Sequence, residues 1–210
     1  MPTGENLVGF FLFAAGRMGR QFASGTTDLM LKNGIITAGR RLGQMAIIGK
    51  IISGGQTGAD RGALEAALKA GFAYGGLVPK GRLAEDGCVP AKFTAMVEAD
   101  TEDYRFRTRW NAEHSDATLI LAFSDQLEGG TQRTRQYCMN ARKPVFVDNP
   151  NTPTTDGDQL AVFKWLAKVS KKIGGRPIVL NVAGPRESKE PGLELAVERY
   201  VERLISEEVE

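Results

Sequence analysis

The sequence predicts an α/β protein: a Rossmann-like, mostly parallel sheet with helices on both faces. Two observations predict it. From Met45 onward, short apolar and β-branched stretches alternate with segments of helical periodicity. The joins between them are glycine-rich or polar corners, several of which run from a strand directly into a helix. Strands separated by helices cannot pair as hairpins, so they pair in parallel and need helices over both faces.

The elements follow in order. AIIGKIIS (46–53) is a strand, and TGADRGALEAALKAG (57–71) is a helix with Leu64, Ala67 and Leu68 at helical spacing and Gly71 as its stop. AYGGLVP (73–79) is a second strand that opens into a long loop, PKGRLAEDGCVPAKF (79–93). EDYRFRTRWNAEHS (102–115) reads as a helix, DATLILAFS (116–124) as a buried strand, TQRTRQYCMNARK (131–143) as a helix and PVFVDN (144–149) as a strand. NPNTPTTDGD (149–158) is a loop. DQLAVFKWLAKVSKKIG (158–174) is amphipathic, with Leu160, Phe163, Trp165, Leu166 and Val169 near one stripe. RPIVLNVAG (176–184) is the last strand, and PGLELAVERYVERLISEE (191–208) is a closing helix that Pro191 starts.

Composition bounds the function. The chain has 210 residues, 42% hydrophobic and 25% charged, enough for one α/β domain with a core and an appendage. With 27 basic and 25 acidic residues, nothing marks nucleic acid or a membrane as a partner. Cys88 and Cys138 have no metal-like spacing, which suits a reducing, cytoplasmic setting. His114 is the one histidine, so imidazole-based metal sites and triads are poorly supported and no metal site is expected.

Residues 1–45 form an N-terminal extension to the domain at 46–210. LVGFFLFAAG (7–16) is too short to span a bilayer, and Glu5 rather than a basic residue precedes it. The extension reads either as an overlong start or as a helical arm packing on the body or on a partner subunit. Phe10, Phe11, Phe13 and Phe22 could cover such a surface.

The chemistry lies in the corners, because ligands of parallel sheets bind at the carboxyl ends of the strands. SGGQTGAD (53–60) places Gly54, Gly55, Gln56, Thr57 and Gly58 between a strand and a helix N-terminus. It reads either as a tight turn capped by Thr57 or Asp60, or as an anion cradle of backbone N–H groups. It lacks the P-loop lysine and is not GxGxxG. LEGGTQRT (127–134) repeats the theme with Gly129, Gly130, Thr131 and Thr134, and NVAGPRESK (181–189) supplies Asn181, Gly184, Pro185, Arg186, Ser188 and Lys189. In the long loop Lys80 and Arg82 stand near Glu85 and Asp86, either as a solvated ion-paired turn or as phosphate contacts. Tyr104, Thr108 and Asn111, with Arg107 beside them, share a helix face that is either wet surface or ligand wall.

Together, KIISGGQTGADRGALEAAL, GGLVPKGRLAEDG, YRFRTRWNAEHSDATLIL, GGTQRT and LNVAGPRESKEPG resemble the molybdenum carrier family over roughly residues 47–206. That family is the circularly permuted branch of the LONELY GUY and lysine-decarboxylase-like Rossmann superfamily. The resemblance implies a carrier or sensor whose corners bind molybdenum cofactor, a pterin phosphate, or a nucleotide-like ligand. It implies Gly54, Gly55, Thr57, Gly58, Gly129, Gly130, Thr131, Asn181, Gly184, Pro185 and Arg186 as contacts, with Lys80 and Arg82 as supporting cations. It also implies transfer to molybdoenzymes and a homodimer or homotetramer. The phosphoribohydrolases of the superfamily carry PGGxGTxxE, whereas this chain has EGGTQRT, with Thr134 where the glutamate is expected. A threonine cannot serve as a general acid or base near neutral pH. N-glycosidic hydrolysis would then fall to Glu85 or Asp86, so the enzyme reading is the alternative and the carrier the first expectation.

Overall fold

A computed structural model describes residues 47–151 and 158–206. The extension, with its four phenylalanines, lies outside the described residues, as does the side chain of Leu160.

The chain order is β1 (Ile48–Ile52), α1 (Ala59–Lys69), β2 (Tyr74–Val78), β3 (Leu83–Ala84), β4 (Gly87–Cys88), β5 (Met96–Glu98) and α2 (Tyr104–Glu113). It continues β6 (Ala117–Leu121), α3 (Gly129–Asn140), β7 (Val145–Asp148), α4 (Asp158–Lys172), β8 (Ile178–Ala183) and α5 (Leu193–Ser206). Six strands form one parallel sheet in the order β5-β2-β1-β8-β6-β7. The last strand thus inserts at the centre, with Ile51 beside Leu180 on one side and Leu119 beside Val182 on the other.

The five strands expected from sequence are all present. β5 is an additional edge strand, with Leu77 opposite Val97. The long loop is also more ordered than expected: β3 and β4 form a small antiparallel hairpin, Leu83 opposite Cys88.

Right-handed crossovers assign the helices to faces. α1 and α4 both carry the chain in the direction from β7 toward β5, whereas α2 and α3 carry it the other way. α1 accordingly packs on α5, and α2 on α3. The face of α1, α4 and α5 holds the main core, where Ile51, Leu119, Leu180 and Val182 meet Ala63, Val162, Leu166, Val197, Val201 and Leu204. On α4 the buried stripe is Val162, Leu166 and Val169, with Phe163 and Trp165 only partly buried at its margin. Between α1 and α5 the backbones nearly touch, since a Cβ on Gly62 would land on the Glu194 carbonyl oxygen.

Two helix starts differ from the sequence reading. α5 begins at Leu193 rather than at Pro191, because Gly192 intervenes at φ 87. The Glu187 carboxylate caps it, accepting from the N–H groups of Gly192 (2.5 Å) and Glu194 (2.8 Å). α3 begins two residues earlier than expected, at Gly129, which brings both glycines into its first turn.

Candidate functional site

The second face of the sheet carries a cavity of about 580 Å³. It lies over the carboxyl ends of β1, β8 and β6, three adjacent central strands, where connections lead away in opposite directions. This is the switch point at which open α/β sheets bind ligands. One wall is α2, through Tyr104, Arg105, Arg107, Thr108 and Asn111, and the facing wall is the first half of α3. Asn181 and Ala183 belong to β8, and the loop from Gly184 to Glu190 closes one side.

The first glycine corner, between β1 and α1, is filled by protein. Gly55 and Gly58 have φ 74 and 75, conformations that favour glycine. The space beside each glycine is taken: a Cβ on Gly54 would land on the Arg107 guanidinium, one on Gly55 would meet Val89 at 2.9 Å, and one on Gly58 would meet the Pro185 carbonyl oxygen at 2.5 Å. The N–H groups of residues 56 to 59 are also taken, while those of Gly54 and Gly55 find no acceptor among the described residues. Gln56 N–H donates to Asp60 Oδ2 (3.3 Å), Thr57 N–H to Gln56 Oε1 (3.1 Å), Gly58 N–H to Glu194 Oε2 (3.2 Å) and Ala59 N–H to the Pro185 carbonyl (3.2 Å). Arg107 pairs with Asp60 at 2.8 Å, both side chains almost fully buried, so this end of the cavity is close to neutral.

The second corner is open. A Cβ on Gly129 or Gly130 would meet nothing within 4 Å. As first-turn residues their N–H groups have no intrahelical acceptor, and they find none among the described residues. The Glu128 side chain makes no capping bond. The positive end of the α3 dipole therefore faces the cavity. Arg133 and Lys189 also line it and have no ion-pair partner among the described residues. Thr131 is buried beside them, and Thr134 Oγ1 is spent on the Gly130 carbonyl (3.1 Å).

The remaining residues singled out in the sequence divide into two groups. Gly54, Gln56, Gly129, Gly130, Thr131, Thr134, Asn181, Gly184, Pro185 and Arg186 come together around the cavity, whereas Gly55, Thr57, Gly58, Lys80, Arg82, Glu85 and Asp86 are not part of its lining. Asn181 Nδ2 donates to Thr118 Oγ1 (3.1 Å) within the sheet. Asn111 ties α2 to the sheet by accepting from Leu77 N–H (2.8 Å) and donating to the carbonyls of Leu77 and Ser53. Arg82 turns its guanidinium to the carbonyls of Val89, Pro90 and Phe93 and so staples the loop beyond the hairpin. Lys80 is exposed. Asp86 is bound by Arg61, which holds its carboxyl below the usual range.

Glu85 joins the hairpin to the loop that closes the cavity. Its carboxylate accepts from Thr57 Oγ1, from Ser188 Oγ (2.5 Å) and from Ser188 N–H (3.2 Å), with Arg186 at 4.0 Å. Burial alone would raise its pKa. The hydrogen bonds from Ser188 and Thr57, with the Arg186 charge, outweigh that and hold it below the usual carboxylate range.

Arg105, Arg133, Tyr137, Glu128 and Glu190 line the cavity although none of them stood out in the sequence as a candidate contact. Glu190 is spent on Phe123 N–H (2.6 Å).

A doubly wound parallel sheet with its cavity at the switch point defines a small-ligand-binding α/β protein of Rossmann-like class. Residues 51–205 match the circularly permutated YpsA SLOG family, and the chain belongs to it. Among solved structures it is similar to the crystal structure of a putative molybdenum carrier protein from Syntrophus aciditrophicus SB, at 39% identity and a TM-score of 0.67, covering 75% of this chain and 94% of that one. No curated protein matches it.

Proposed function

We propose that the protein is a carrier that holds a phosphate-bearing small molecule, molybdenum cofactor or a nucleotide-like compound, with the phosphate at the N-terminus of α3. The observation that carries this reading is the pair Gly129 and Gly130: among the described residues their N–H groups find no acceptor and no atom lies within 4 Å of where a side chain would begin, and they line a cavity of ligand size. Arg133 and Lys189 add positive charge at the same cavity. The name of the solved relative fits this reading.

Molybdenum cofactor is cargo in this reading. Among the described residues no group of three or more His, Cys, Asp or Glu could hold a metal ion. The protein would therefore grip the organic, phosphate-bearing part, and the pterin would keep the metal. Burial from water and oxygen is the service such a site offers.

Hydrolysis by Glu85 or Asp86 is less well supported, since neither residue is part of the cavity lining and both carboxylates are engaged by protein groups. The reading extends to a cytoplasmic location, a homodimer or homotetramer, and delivery to molybdoenzymes. Among the described residues no helix is long and apolar enough to cross a membrane.

Thermal shift of the full chain with molybdenum cofactor, GMP, AMP and molybdate tests the proposal. Saturating ligand raises the midpoint by mass action. A shift with a phosphate-bearing organic compound that exceeds the shift with molybdate supports it, and flat curves throughout overturn it.

A further inference from the structure

We propose that the outer face of α4 is a docking surface for an acidic helix on a partner protein. No residue of α4 lines the cavity, so a docked partner leaves the ligand site open, and the dock is independent of the phosphate-ligand reading.

Helical spacing builds the surface. Lys164, Lys168 and Lys171 stand at i, i+4 and i+7, with Lys172 beside them, and all are exposed. They lie opposite Val162, Leu166 and Val169, which α4 buries in the main core. No aspartate or glutamate occurs between Asp158 and Arg176. None of these lysines has an ion-pair partner among the described residues.

Such a stripe opposes its own helix. Lys168 has Lys164 one turn before it and Lys171 and Lys172 one turn after it, and like charges at these spacings destabilise a helix. The helix dipole accounts for Lys171 and Lys172, which lie in the last turn. It does not account for Lys164 and Lys168, which precede that turn. The other helices of this face answer their charges within the fold: Lys69 on α1 pairs with Glu198 on α5, and Glu65 on α1 pairs with Lys92. On α4 the answering carboxylates have to come from outside.

The shape of the stripe indicates what supplies them. From Lys164 to Lys172 it runs about 12 Å along a single helix, and carboxylates at helical spacing on a partner match it charge for charge. A bilayer suits it poorly, because interfacial helices insert an apolar face and that of α4 is already in the core. A nucleic acid would call for a wider basic field, and the whole chain carries a net charge of only +2. Trp165, three residues before Lys168, is partly buried and packs on Phe146 with ring centroids 5.3 Å apart. It gives the charged stripe an apolar margin of the kind that anchors protein interfaces.

Fluorescence anisotropy of the full chain with two labelled synthetic peptides tests the dock. One peptide carries its glutamates on one face of an amphipathic helix, and the other has the same composition with the glutamates spread around the helix. Wild type should bind the one-faced peptide at least about tenfold more tightly than the other, and raising salt from about 0.05 M to about 0.5 M should weaken that binding about tenfold. Lys164→Glu with Lys168→Glu should abolish the preference. Arg135→Glu with Arg199→Glu changes the net charge equally at exposed positions of α3 and α5, and should keep it. Equal binding of the two peptides, binding of neither, or equal losses in the two double variants overturns the proposal. So does tighter binding of wild type to phosphatidylserine vesicles or to duplex DNA than to the one-faced peptide. Should a double variant not fold, the comparison of the two peptides on wild type decides.

Discussion

Arg107 occupies the space where residue 54 would carry a side chain. A Cβ built on Gly54 falls on the guanidinium, whose Nη1 is held at 2.8 Å by Asp60 on the first turn of α1. The glycine thereby lets a buried ion pair fasten α2 to the β1 corner. Gly54→Ala must displace that arginine, and the expected cost is about 2 to 3 kcal/mol, from overpacking and a displaced buried charge. Urea denaturation checks it, and an unchanged midpoint would show that the pair relocates freely.

Gly130→Asp separates binding from folding. The position has room for a side chain, and an acidic residue in the first turn of a helix is compatible with the dipole. Stability should stay within about 0.5 kcal/mol of wild type, whereas the carboxylate would repel a phosphate from the α3 terminus. Loss of every ligand-induced thermal shift at an unchanged apo midpoint is expected. The matching change at the first corner, Gly55→Asp, should instead destabilise the apo protein, because Val78 and Val89 fill that space and φ is 74.

Glu85 makes the closing loop sensitive to acid. Its folded pKa lies below the usual carboxylate range, so its contribution is present above the ordinary glutamate pKa of about 4.3 and is lost as pH falls through the lower folded value. At neutral pH the latch to Ser188 is closed. Glu85→Gln keeps the shape and loses the charge, and should speed amide exchange at Ser188 while leaving the main core protected. Equal exchange in both proteins would show that the loop is held by its other bonds.

Tyr200 and Asp148 tie α5 to the end of β7. The buried phenol donates to Asp148 Oδ2 at 2.6 Å, and burial together with the carboxylate pushes the tyrosine pKa well above normal. Tyr200→Phe leaves the carboxylate oxygen without its donor and should cost about 1 to 2 kcal/mol. The wild-type pair also loses stability as pH climbs past the ordinary tyrosine value of about 10, where the unfolded chain ionises first. Stability curves at pH 7 and 10.5 for the two proteins check both points, since the gap between them should narrow at the higher pH.

The central strands were legible because buried parallel strands carry continuous apolar runs, such as ATLIL in β6. β5 was not, because a three-residue edge strand with Val97 and Glu98 exposed leaves no periodic trace. The hairpin was missed because each arm has two residues. The first corner shows why a glycine motif underdetermines its role: Gly54, Gly55 and Gly58 are needed for conformation or close approach, but the groups that come close are Arg107, Val89 and the loop at Pro185, all distant in sequence. Arg105, Arg133 and Tyr137 are ordinary helix-surface residues until α2 and α3 stand on the same face of the sheet.

The place of β8 between β1 and β6 governs how the domain can be made. During synthesis every other strand of the sheet leaves the ribosome before the one that joins its two halves, so the nascent chain carries two unfinished edges until β8 has emerged. The pairing of β1 with β8, which brings Ile51 beside Leu180, spans more than half of the sequence and closes slowly. Asn181 and Ala183, which line the cavity, arrive with that strand. On the carrier reading, cargo is therefore loaded only after β8 has joined the sheet, and a truncation before residue 178 removes the joining strand together with part of the cavity lining.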